Sequence, residues 1–313
     1  MSLYYTYSDF LKNKYGVKTY KLTVNLPLTC PNRDGTLGTG GCDFCGEKAS
    51  GFVTEDNRKS VYEQLTGIKD FIAKRYGAEK FIAYFQSFTN TYLPLDKLIA
   101  NVSEVHKVDE VVEIALATRP DCINKEYIEA LISATEDKNL TLEFGLQTVN
   151  YRTLSNINRG HTLAEFIDAV LLAKKHNVEV STHLILNLPG DNMDDVIENA
   201  KVISALDIDT VKLHALYIRE NSKFGEKYKK GELQIITLSE YIDRVITFLE
   251  YLDPDIAIQR LLGKAPEESS LFVNWDKDYR KIIQQIKDEM SNRKTHQGKR
   301  FNYLHGKALK KFE

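Results

Sequence analysis

The chain has 313 residues, 42% of them hydrophobic and 27% charged, with a net charge of −2. That is enough for one large α/β domain or two ordinary ones with a sizeable core, and it excludes a disordered or membrane-embedded class because no apolar run reaches spanning length. The N-terminal MSLYYTYSDFLKNKYG has neither an apolar core nor a small-residue cleavage site, so a cytoplasmic location with reduced thiols is expected for the four cysteines.

In chain order, an N-terminal extension (1–20) carries Tyr4, Tyr5, Tyr7, Tyr15 and Tyr20, a set that covers a barrel end more often than it stacks bases. Then β-rich apolar runs alternate with helical patterns: a strand at 21–28, a helix at 61–77, strands at 80–85 and 111–118, and a helix at 125–137. Further strand–helix pairs follow at 140–147 and 163–176, 178–189 and 194–206, and 210–218 and 238–252. Repeated strand-then-helix units require a parallel sheet with helical crossovers. Six such units predict an α/β chain with a partial (β/α)6 TIM-type barrel over 21–262, followed by a C-terminal extension (263–313). Within that extension, residues 293–312 hold seven Lys or Arg and no acid, against a net −9 elsewhere. With Phe301 and Tyr303 interleaved, this stretch suits an anionic backbone with bases available for stacking; a solvated tail is the alternative.

Functional side chains of a parallel barrel stand at the C-terminal ends of its strands. Sorted that way, Cys30, Cys42 and Cys45 follow strand one, Gln86 and Ser87 end strand two, and Thr118, Arg119 and Asp121 end strand three. Glu143 and Gln147 belong to strand four, His183 and Asn187 to strand five, Lys212 and His214 to strand six, and Arg260 to a later run, IAIQRL. Three thiolates spaced C-x11-C-x2-C could hold zinc or an iron–sulfur cluster; Cys122 is far along the chain, and no histidine lies between Cys30 and Cys45. A three-thiolate site leaves one metal position open, as catalytic sites do.

The cysteine triad after strand one, together with ATRPD (117–121), EFGLQT (143–148), NRGHT (158–162) and LILNLPGD (184–191), resembles the radical S-adenosylmethionine enzymes. Within them it is similar to the branch related to Elp3 and HemN, and there to the YhcC/YtqA-like subgroup, which shares the long first cysteine interval and a terminal RLxGxxP, here Arg260 to Pro266. The widespread family spacing is C-x3-C-x2-C. The resemblance implies a [4Fe-4S] cluster on Cys30, Cys42 and Cys45, with its fourth iron left for S-adenosyl-L-methionine. It implies cofactor contacts from the backbone around Gln86 and Ser87 and from Gln147 and Arg159. Thr118 and His183 stand where relatives place acidic contacts, with Glu143 beside them.

It further implies a low-potential electron donor such as flavodoxin or ferredoxin, and a tRNA substrate whose wobble carboxymethylaminomethyl-uridine becomes aminomethyl-uridine. Lys212, His214 and Arg260 are then substrate candidates, Lys299 and Arg300 candidate phosphate contacts, and Cys122 a candidate hydrogen donor or a small buried apolar group. Two alternatives stay open: HemN-like radical oxidation of a small anionic metabolite, and a non-catalytic RNA-binding protein with a structural metal site. Only Cys122 remains, too few thiolates for a second cluster, which excludes methylthiolation.

Overall fold

The computed structural model describes residues 2–46, 56–264 and 269–312. Ala265 and Pro266 of the terminal motif lie outside the described residues. Strands β1 (Thr19–Val24), β2 (Lys80–Phe85), β3 (Val111–Thr118), β4 (Asn139–Gln147), β5 (Glu179–Ile185) and β6 (Thr210–His214) pair in sequence order, all parallel. A seventh parallel strand from the IAIQRL run, β8 (Ala257–Arg260), adds to the expected six and pairs with β6. Helices α2 (Val61–Tyr76), α3 (Leu95–Ser103), α4 (Lys125–Thr135), α6 (Leu163–Lys175), α7 (Met193–Ala205) and α9 (Leu238–Tyr251) form the connections of a partial TIM-type barrel. Short helices α5 (Tyr151–Asn156) and α8 (Lys223–Lys229) interrupt the later loops.

Strand alternation sorts the two faces of the sheet. Leu22, Val24, Phe81, Phe85, Ile114, Leu116, Leu142 and Phe144 face the helices and form the main core. Lys21, Tyr84, Glu143, His183 and Lys212 face inward. The helices start where their caps dictate: Ser60 and Thr162 form capping boxes with Glu63 and Glu165. The cap of α7 is Asn192, whose side chain accepts from the amides of Asp194 and Asp195.

The 210–218 run is not one strand. Leu216 N–H donates to Asn187 Oδ1 (2.6 Å), which turns the chain away after His214. Ile218–Arg219 then forms β7, antiparallel to β9 (Ser270–Phe272).

The lower end of the barrel, at the strand N-termini, is closed by α1 (Tyr7–Tyr15). Leu11, with Tyr7, Phe10 and Tyr15, packs on Ile82, Tyr84, Ala115 and Ala117, so of the early tyrosines Tyr7 and Tyr15 cover the barrel end, whereas Tyr4 and Tyr20 pack against the main core and Tyr20 stacks on Tyr76 (4.4 Å). Glu113 on β3 accepts from Tyr15 OH (2.6 Å), Lys14 Nζ (3.0 Å) and Thr141 Oγ1 (2.9 Å). β1 and β8 do not pair; Ile258 N–H donates to the carbonyl of Tyr5 (2.9 Å), so the N-terminal segment lies against that edge. Helix α10 (Tyr279–Asn292) packs on α9. Gln297 then receives Tyr5 N–H on its side chain (2.9 Å) and donates to the carbonyls of Asp253 and Ile256.

Candidate active site

Cys30, Cys42 and Cys45 line one cavity at the C-terminal ends of the strands, and with them Gln86, Thr118, Glu143, Gln147, Arg159, His183, Lys212, His214 and Arg260. With Arg119, which also lines it, ten of the predicted non-cysteine residues share the space with the thiols. Ser87 does not line it: the chain turns there, its carbonyl accepts from Asn90 Nδ2 (3.2 Å), and Phe88 follows at φ 57°. Cys122 faces a separate surface groove with Tyr92, Asp121 and Tyr127, because the Pro120–Cys122 turn carries it past the rim. Burial pushes its thiol up to about 12, so it is a protonated group outside the cavity. Lys299 and Arg300 lie beside Tyr251 and Tyr303 at the C-terminal end of α9, at the strand N-termini and away from the cysteines.

The cysteine loop is fixed by backbone stitching. β1 ends at Val24 because Gln64 takes both backbone groups of Asn25 (2.8 and 2.9 Å). Gly41 N–H donates to the carbonyl of Asn32 (2.8 Å), and Asp43 N–H to that of Ile157 (2.9 Å). Asn158 Nδ2 donates to the carbonyl of Gly41 (2.8 Å), while Asn32 Nδ2 donates to that of Asn158 (2.6 Å). NRGHT is therefore the wall on which the cysteine loop is built. Gly160 is at φ +80°, where a Cβ would meet Asn32 Oδ1 at 2.8 Å and Arg119 Nη2 at 3.2 Å, so any side chain there is strained and must displace Asn32. Arg119 forks onto Asp121 (2.8 and 2.5 Å) and donates to the carbonyl of Arg159 (2.8 Å), joining ATRPD to NRGHT.

Arg159 reaches Cys42 Sγ (3.5 Å) and the Gly145 carbonyl (2.6 Å), and its buried Nε has no partner. The Cys42 thiol is lowered to about 5 by its hydrogen bond with Cys45 and by Arg159, while Cys45 is raised by the same hydrogen bond and by burial, against the pull of Arg159. One thiol of this couple is ready to ligate as thiolate. Gly145 is where a Cβ would collide with Gln147 Nε2 (2.7 Å) and Arg159 Nη2 (2.9 Å), which explains the glycine of EFGLQT.

Below this rim lies a closed ion network that the sequence reading missed in part. Glu143, fully buried, accepts from Lys21 Nζ, His183 Nε2 (2.9 Å), Lys212 Nζ (3.1 Å) and Gln259 Nε2 (2.8 Å). Lys212 also donates to Tyr84 OH (2.9 Å). Burial alone would raise the Glu143 carboxyl; Lys21, Lys212 and His183 outweigh it and hold it well below the usual range. Burial lowers Lys212 to about 7 and His183 to about 4, so His183 is neutral. Lys21, Tyr84 and Gln259 were missed; the signal was a polar residue at the inward parity of an otherwise apolar strand.

Among the described residues the three thiols do not gather within 4.8 Å of one another, as the ligands of a single ion would. A wider, polynuclear group suits the donor set better, with Arg159 poised for an anion beside it.

Residues 30–203 match the family model of the Radical SAM superfamily and residues 208–292 that of the Radical_SAM C-terminal domain. The chain is 34% identical to YtqA of Bacillus subtilis (strain 168), over 96% of this chain and 94% of that one. It is 30% identical to YhcC of Escherichia coli (strain K12), over 85% of each. A tRNA uridine(34) acetyltransferase of Methanocaldococcus jannaschii is 26% identical over 50% of this chain and 29% of its own. Among solved structures, Methanocaldococcus infernus Elp3 superposes with a TM-score of 0.68 at 15% identity, over 89% of this chain and 64% of that chain. Escherichia coli HemN superposes with a TM-score of 0.50 at 16% identity, over 74% of this chain and 51% of that one.

Proposed function

The chain belongs to the radical S-adenosylmethionine superfamily, in the branch related to Elp3 and HemN, and from that premise we propose that it modifies a tRNA wobble uridine. The observation that carries the cofactor part is the shared cavity: three thiols, one of them lowered by its hydrogen bond with Cys45 and by Arg159, face Gln147 and Glu143 in one space. Cys30, Cys42 and Cys45 would hold a [4Fe-4S] cluster, and Arg159 would pair with the carboxylate of S-adenosylmethionine. When bound, these groups supply an organic radical able to take a hydrogen atom from a substrate C–H bond. The chain's own part is to position and to exclude water. The α1 plug closes the barrel below the cavity, so access is from the upper rim.

The tRNA part is supported by the likeness to a tRNA uridine(34) acetyltransferase. The reaction is the conversion of carboxymethylaminomethyl- to aminomethyl-uridine. Loss of a hydrogen atom from the glycine-like CH2, then of a second electron to an external one-electron acceptor and of the N–H proton, gives an imine. Water then hydrolyses it to the amine and a two-carbon aldehyde acid. A flavodoxin or ferredoxin would be the low-potential electron source for the cofactor. The cationic wall of the cavity also favours a second reading, HemN-like oxidation of a small anionic metabolite.

Mass spectrometry of tRNA nucleosides from a deletion strain separates the two. Accumulated carboxymethylaminomethyl-uridine with depleted aminomethyl-uridine is the expected result; an unchanged nucleoside profile removes tRNA as the substrate. Iron and sulfide in anaerobically reconstituted protein test the cluster, and zinc in their place would overturn it.

A further inference from the structure

Arg260 differs from the other cations deep in the cavity. Lys21 and Lys212 share Glu143, Arg119 is neutralised by Asp121, and Arg159 faces Cys42. Arg260 donates from Nη2 to His214 Nδ1 (2.8 Å), and its Nε is buried with no partner. Burial and the nearby Arg260 charge hold His214 well below its ordinary pKa, so the ring is neutral and accepts the bond without cancelling the charge. The guanidinium is also seated: a Cβ on Gly263 would stand 2.8 Å from Arg260 Cζ, so the glycine of RLxG leaves room for the fork. An arginine held in a partly buried place with no carboxylate beside it among the described residues is costly unless an anion arrives.

We propose that Arg260, backed by His214 on the β6–β8 wall, is a subsite for a carboxylate of the substrate, set apart from the Arg159 position assigned to the cofactor. The planar fork suits two parallel N–H···O bonds to one carboxylate. Identifying that carboxylate with the glycine-like arm of the uridine rests on the function proposed above; the subsite itself rests on Arg260. Two carboxylates compete for it, that of the substrate and that of S-adenosylmethionine.

The test uses reconstituted full-length protein and calorimetric titration with S-adenosylmethionine, with N-ethylglycine and its methyl ester, and with 5-carboxymethylaminomethyluridine. Wild type should bind N-ethylglycine more tightly than the ester. Arg260→Gln should weaken the acid roughly ten- to a hundredfold, to the level of the ester, and Arg260→Lys should fall between. The affinity for S-adenosylmethionine should stay within about twofold, the same margin as a repeat titration. Circular dichroism and iron content confirm that both variants fold. Equal binding of acid and ester to wild type, or a loss of S-adenosylmethionine affinity matching that of the acid, overturns the subsite. If wild type discriminates the small acid but ignores the nucleoside, the subsite stands and the uridine reading fails.

Discussion

The two ends of this barrel solve the same problem in opposite ways. At the lower end Glu113 is satisfied by Tyr15, Lys14 and Thr141, and Lys14 also reaches Glu179 (2.6 Å), so the charges are matched and α1 seals them. At the upper end Glu143 serves two lysines and a histidine, while Arg159 and Arg260 keep unpaired donors in an open cavity. A matched set of charges builds a floor; an unmatched one waits for a ligand. The difference separates buried ions whose charges are matched within the fold from those that leave a donor open toward the cavity.

The largest effect should come from the thiols. Cys30→Ala, Cys42→Ala or Cys45→Ala should each abolish formation of 5′-deoxyadenosine and lower bound iron, whereas Cys122→Ala, in its separate groove, should keep the iron. Normal cleavage in any triad variant breaks the assignment.

Next, Glu143→Gln strands Lys21 and Lys212 and should cost about 3–5 kcal/mol. Glu113→Gln, whose partners have other acceptors or reach water, should cost about 1–3 kcal/mol. Urea unfolding with unchanged slopes measures both, and equal losses would erase the contrast between floor and cavity.

A pH titration sharpens it further. His183 is depressed to about 4 from an unfolded value near 6.5. The folded state therefore binds fewer protons than the unfolded state in that window, and its contribution, full above about 6.5, is lost as pH falls toward 4. The expected slope is about 1.4 kcal/mol per pH unit. His183→Gln should flatten the loss by about one proton; an identical acid profile would mean that the imidazole is not held neutral.

The smallest effect belongs to the tail. Arg300 pairs with Glu250 (2.8 Å) but is 56% exposed, so Arg300→Ala should change stability by no more than about 1 kcal/mol. If Lys299 and Arg300 hold RNA phosphates, the double alanine variant lowers the logarithmic salt slope of tRNA binding by roughly 0.7–0.9 per contact. Equal slopes would remove this end from any RNA interface.

The cavity was legible because its residues occupy fixed places in the chain: strand ends, and short motifs with glycines where side chains collide. Gln86, Thr118, Gln147 and Arg159 were found that way. Lys21 and Gln259 were not, because one polar residue in an apolar strand gives no sign of which face it takes until the register is known. Strand one was read to residue 28, but the amide of Gln64 captures Asn25, a contact across 39 residues that local pattern does not contain. The helix α3 and the plug α1 escaped for the same reason: Leu98 and Leu11 become core only once β2 and β3 stand beside them.

The bond from Tyr5 to Gln297 joins residues 292 apart in sequence. Loop closure of that length cannot be rewarded before the intervening sheet exists, so this seal is expected to form late in folding, after the transition state. Its energy then appears almost wholly in the unfolding rate. The barrel floor works as a latch on the time axis: Gln297→Ala should speed opening of the native protein while barely slowing its return.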